Sequence, residues 1–171
     1  MSGRDYLIDT NILGLFWDSK SVSPSPEAIV LKKKIDSLPA ETRCFICPIT
    51  MSEMEYGILT APTMTDEKRD GLRKVIQSFI IAELDQYVAK EFYPLLRAKL
   101  FEYVGMPRKK KRPEQWIDPA TSLELGVQEN DLWIVAVAMR YNLNFVSRDG
   151  MIPIREVVRK NKLNVHFDDW I

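Results

Sequence analysis

A single histidine in 171 residues excludes much enzyme chemistry at the outset. A Ser-His-Asp or Cys-His centre would have to use His166, which falls in a terminal strand pattern where packing is the expected role. Two cysteines and one histidine are also too few for a closed zinc site. Cys44 and Cys47 have Cys-x-x-Cys spacing but sit in a stretch that reads as a strand. Positions three apart on a strand face opposite ways, so these two are expected to be free thiols acting as small hydrophobes. No Gly-x-Gly-x-x-Gly or Gly-x-x-x-x-Gly-Lys run is present, which removes the fingerprints of dinucleotide and P-loop folds. Twenty-four basic residues balance twenty-four acidic ones, so an anionic partner must be met by a local patch. No apolar run approaches the ~20 residues of a membrane span. The opening Met1-Ser2-Gly3-Arg4-Asp5 lacks the basic and apolar blocks of a secretory leader, and a cytoplasmic location is expected.

What is present is the composition of a globular protein, 46% hydrophobic and 28% charged, and one compact domain over residues 1–171 is expected. Tyr6-Leu7-Ile8 reads as a buried strand closed by Asp9-Thr10-Asn11, after which Ile12 to Trp17 open a helix. The pattern then predicts a helix from about Ala28 to Leu38, a strand over Cys44–Ile49 and a helix from Thr50 or Ser52 to Thr60. A further helix runs from an N-cap at Thr65 through Ser78. Residues 79–84 fit either a third strand or the end of that helix. A long helix is predicted from Gln86 to Val104, then a loop over 105–128, a helix over 129–141, a strand over 143–147, a helix over 152–160 and a strand over 163–167. Strands alternating with helices predict an α/β fold, a parallel sheet covered on both faces.

Four carboxylates occupy corresponding places in this pattern. Asp9 follows the first strand, Glu53 and Asp131 open helices, and Asp149 follows the strand that ends at Ser147. Ligands in open α/β sheets sit outside the carboxyl ends of the strands. Each residue also has a bland reading. Thr50 with Glu53 and Ser52 with Glu55 have capping-box spacing, Asp131 suits a helix N-terminus, and Asp149-Gly150 is turn sequence. If the four converge, like charges ~4 Å apart repel by about 4 kcal/mol at an effective dielectric near 20, and the cluster either keeps protons or recruits a cation. Oxygen ligands suit Mg²⁺ or Mn²⁺. The run Arg108, Lys109, Lys110, Lys111, Arg112 is the evident phosphate patch, or else a solvated loop. Trp17 and Trp116 have the chemistry to stack on bases, with packing the more ordinary role.

Asp9-Thr10-Asn11, Glu53 in Ser52-Glu53-Met54-Glu55-Tyr56-Gly57, Asn130-Asp131 and Ser147-Arg148-Asp149 together resemble the PIN-domain nucleases, and among them VapC-type toxins of type II toxin–antitoxin pairs. The resemblance implies a Rossmann-like sheet of order 3-2-1-4-5 and Mg²⁺- or Mn²⁺-dependent cleavage of RNA. It also implies a homodimer and an antitoxin partner that occludes the acidic site. It makes Asp9, Glu53, Asp131 and Asp149 the catalytic and metal-binding quartet, with Thr10, Asn11, Asn130 and Ser147 orienting ligands or water. The chain is longer than such toxins usually are, and the basic loop over 105–128 looks like an insertion. A non-catalytic module that binds protein or RNA, a metal-dependent DNA nuclease or phosphatase, and a purely structural role for the acids remain the alternatives.

Overall fold

The computed structural model describes residues 5–106 and 112–171. Its five strands are β1 (Tyr6–Ile8), β2 (Cys44–Ile46), β3 (Ile80–Ile81), β4 (Asn144–Val146) and β5 (His166–Asp168). They form one sheet of order β3-β2-β1-β4-β5, every pairing parallel. The expected α/β class and strand order 3-2-1-4-5 are thus observed. β1 takes the centre because Leu7 and Ile8 are wholly buried and leave no face for water.

The residues group into two compact units. The first runs to Glu83 and adds Leu143–Asp149 and His166–Ile171, so it holds the whole sheet. It also contains α1 (Thr10–Asp18), α2 (Pro26–Asp36), α3 (Pro48–Thr60) and α4 (Asp66–Gln77). Its core gathers Ile8 and Ile46 from the sheet, Ile12 and Leu13 from α1, Leu31 from α2, Ile58 from α3 and Leu72 from α4. Trp170 closes it, 3% exposed and edge-on to Tyr6 with ring centres 5.0 Å apart.

The second unit, Leu84–Asn142 and Gly150–Val165, contains α5 (Tyr93–Tyr103), α6 (Glu129–Tyr141) and α7 (Ile152–Asn161). Every residue of α6 from Ile134 to Met139 is buried. Trp133 stacks flat on Tyr93 of α5, ring centres 3.7 Å apart.

Several boundaries differ from the sequence reading for identifiable reasons. Pro48 sits in the first turn of α3, where its missing N–H is no loss, so β2 ends at Ile46 rather than Ile49. The helix is capped from Cys47, and neither expected capping box forms: Thr50 lies buried inside α3 and Glu55 pairs with Arg73 at 2.6 Å. Residues 80–81 form a short strand. The long helix over 86–104 is a π-helical turn, Val88–Phe92, running into α5. The wider turn adds one residue, which shifts the inward face from Phe92 to Tyr93 and accommodates Pro94. β5 is His166–Asp168 rather than 163–167, and His166 is exposed rather than packed. The loop after α5 carries a short 3₁₀ turn, Pro113–Gln115, and an antiparallel bridge between Ile117 and Glu124.

Candidate acidic site

Parallel pairing of β1 with β4 sets Ile8 beside Val146, so the residues that follow them emerge side by side at the carboxyl edge of the sheet. The Asp9 N–H extends the ladder by donating to the Val146 carbonyl at 2.9 Å. Asp9 is also the N-cap of α1, its Oδ1 accepting from the Thr10 N–H at 2.7 Å. Its other oxygen, Oδ2, accepts from the Ser147 hydroxyl at 2.6 Å.

Ser147 is the hub of this edge. Its Oγ accepts from Asn11 Nδ2 and from the Asp149 N–H, both at 3.0 Å. The Asn11 carboxamide oxygen accepts in turn from the Arg148 N–H at 3.0 Å. One asparagine thereby ties the first turn of α1 to the loop after β4. On the other flank the Thr10 hydroxyl donates to Glu53 Oε2, which fastens α3 to the same turn.

The electrostatics follow from the burial. Asp9 is 5% exposed, and its pKa rises from 3.8 to about 6. Desolvation is the largest cause, with the charges of Glu53 and Asp149 adding to it, against the Ser147 and Thr10 hydrogen bonds that favour the ionised form. Glu53 is half-buried and Asp149 exposed. Behind Asp9, the Cys47 thiol is pushed up by burial first and by the Asp9 charge last.

Six of the sequence-derived residues, Asp9, Thr10, Asn11, Glu53, Ser147 and Asp149, thus belong to one hydrogen-bonded or electrostatically coupled group in the first unit. Asp131 and Asn130 belong to the first turn of α6 in the second unit. There Asp131 Oδ2 accepts from the Gln128 N–H at 2.8 Å, the capping role its position allowed. Of the basic run, Arg108, Lys109, Lys110 and Lys111 lie outside the described residues. Arg112 is exposed, its N–H donating to Gln115 Oε1 at 3.2 Å. Trp116 is buried edge-on to Phe101 and Trp17 packs against the first unit's core, so both tryptophans are structural. Cys44 and Cys47 are free, as expected.

Sequence reasoning passed over the pair Arg148–Glu27, whose guanidinium and carboxylate meet at 2.5 Å across 121 positions. No local signal marks such a partner.

The donor set at this edge is carboxylate and hydroxyl oxygen, which suits a hard divalent cation. Among the described residues no three acidic, thiol or imidazole groups stand close enough to hold one ion. The Ser147 and Thr10 hydroxyls donate to the Asp9 and Glu53 oxygens.

A family model for the PIN domain matches residues 6–158. No curated protein sequence matches the chain. Solved structures with similar folds include VapBC2 from Rickettsia felis bound to a DNA fragment from their promoter. That match has 17% identity, 98% of this chain and 99% of that one covered, and a TM-score of 0.59. VapBC-1 from nontypeable Haemophilus influenzae gives 14% identity, 97% and 98% coverage and a TM-score of 0.64. FitAcB from Neisseria gonorrhoeae gives 17%, 94% and 96%, and 0.58. At these identities the likeness is one of fold.

Proposed function

The chain belongs to the PIN-domain family, and from that premise we propose that it is the toxin of a type II toxin–antitoxin pair, an endoribonuclease using carboxylate-bound Mg²⁺ or Mn²⁺. Nuclease activity is general in the family, as is use of divalent metal ions. The observation that carries the reading is Asp9: a buried carboxylate at the end of the central strand whose pKa is raised in part by Glu53 and Asp149. A fold that buries one carboxylate beside two others meets a cost that a cation would offset.

In this reading Asp9, Glu53 and Asp149 would close on the ion to hold it, with Asp131 assigned to the same duty by its place in the family pattern. Ser147 and Thr10 present the Asp9 and Glu53 oxygens, and Asn11 keeps Ser147 in position. The ion, when bound, supplies a water nucleophile at neutral pH and offsets charge on the phosphodiester. Asp149 or Asp131 takes the proton released by the attacking water. Arg108 to Arg112 meet flanking phosphates. An antitoxin covering the acidic edge, a homodimeric assembly and a cytoplasmic location complete the proposal. The VapBC and FitAcB structures among the similar folds support the antitoxin. Among the described residues no helix is long and apolar enough to cross a membrane.

The test is a panel of labelled RNA, single-stranded DNA and flap substrates with Mg²⁺, Mn²⁺ or EDTA. Metal-dependent cutting of RNA is expected, with losses of about 10²-fold or more in Asp9→Asn, Glu53→Gln, Asp131→Asn and Asp149→Asn. Binding without cutting would mark a non-catalytic module, and preferential cutting of DNA a different nuclease. Undiminished cutting by both Asp9→Asn and Asp131→Asn removes the assignment of the site.

A further inference from the structure

Arg148 stands between Ser147 and Asp149 at the rim of the acidic edge, yet its guanidinium is turned to Glu27 of α2. Its backbone is fixed, since the Arg148 N–H donates to Asn11 Oδ1 and Asn11 Nδ2 donates to the Ser147 hydroxyl that holds Asp9. Its head is not. The ion pair with Glu27 is single and near half exposed on both sides, 47% and 42%, and pairs of that kind contribute little to stability. The site therefore carries a cation on a rigid stem, one residue from an acidic side chain and parked on a surface carboxylate. A guanidinium is always charged and its fork matches two phosphate oxygens, so an incoming phosphodiester competes well for it.

Resting on the nuclease reading, we propose that Arg148 binds a backbone phosphate of the RNA flanking the acidic edge, and that Glu27 is the internal competitor it leaves to do so. Glu27 then acts as a brake: substrate must displace it, and removing it tightens binding. Arg148 positions RNA and leaves the chemical step to the carboxylates.

The experiment is binding of a fluorescent single-stranded RNA in EDTA over a salt series, with wild type, Arg148→Gln, Arg148→Lys, Glu27→Gln and the double variant Glu27→Gln/Arg148→Gln. Arg148→Gln is expected to weaken binding roughly tenfold and reduce the slope against log salt by about 0.7, the loss of one phosphate contact on a single strand. Arg148→Lys keeps the slope and recovers part of the affinity, since it restores the charge without the fork. Glu27→Gln tightens binding severalfold, and that gain vanishes in the double variant, which separates release of Arg148 from a general loss of negative charge. In cleavage assays the Arg148→Gln effect falls on KM rather than kcat. Wild-type binding and slope retained by Arg148→Gln, or a Glu27→Gln gain that persists in the double variant, overturns this proposal and leaves the nuclease reading standing. Wild-type protein that neither binds nor cuts RNA overturns both.

Discussion

Asp9 couples the acidic edge to pH. Its carboxyl titrates at about 6 in the fold against 3.8 unfolded, so the folded state holds the proton more tightly. The stability this supplies is complete below about pH 3.8, fades as pH rises, and is gone above 6. The difference corresponds to on the order of 3 kcal/mol. Asp9→Asn removes the titration while keeping an acceptor for Ser147, though its amide faces the Thr10 N–H less well. With EDTA present, Asp9→Asn is expected to be about 1–2 kcal/mol more stable than wild type at pH 7.5, with the advantage shrinking to nothing near pH 4. Urea unfolding of both proteins across that range checks it. A difference that does not change with pH would show that burial does not burden Asp9. Asp9 is legible in the sequence because an apolar run ends in it. Ser147 is legible only as a neighbour. Its place at the centre of Asn11, Asp9 and Asp149 depends on strand register, which a linear reading does not carry.

Among the elements, α4 is legible almost to the residue, from its cap at Thr65 to its end near Ser78. Its glycine has no explanation until Trp17 is placed beside it. A Cβ at Gly71 would meet ring carbons of Trp17 at 2.0, 2.2 and 2.6 Å. Alanine normally favours a helix by about 1 kcal/mol over glycine, but here overpacking costs about 1–3 kcal/mol and prevails. Gly71→Ala is therefore expected to lower stability, and Trp17→Leu in that background to recover part of the loss. At Gly57 of α3 an added Cβ would meet nothing within 4 Å, so Gly57→Ala should raise stability by about 0.5–1 kcal/mol in the same unfolding assay. If the two alanines move stability in the same direction, the Trp17 contact is not what holds Gly71. Two of the elements whose bounds the sequence misplaces, β2 at its end and the helix over 86–104, turn on Pro48 and Pro94. Each proline fits by a local device, a first-turn position or a π-helical turn, that hydrophobic period does not register.

For the molecule as a whole, the alternation of strands and helices is enough for a parallel sheet, while strand order came from resemblance, because periodicity says nothing about which strands are neighbours. The last residues belong to the first unit's core: Trp170 lies on Tyr6, and its Nε1 donates to Asp168 Oδ2 at 3.3 Å. Trp170→Ala is expected to cost about 3–5 kcal/mol, and Trp170→Phe substantially less, by thermal or urea unfolding. A negligible cost for the alanine variant would place the tail outside the cooperative core.

The hydroxyl that holds Asp9 lies 138 positions downstream of it. A ribosome making this chain releases the aspartate long before the serine, with β4, the partner strand that sets their register, arriving just ahead of the serine. Until the serine arrives the nascent polypeptide carries an unassembled acidic edge, so a nuclease of the proposed kind gains the Asp9–Ser147 contact only after the long stretch between them has been made.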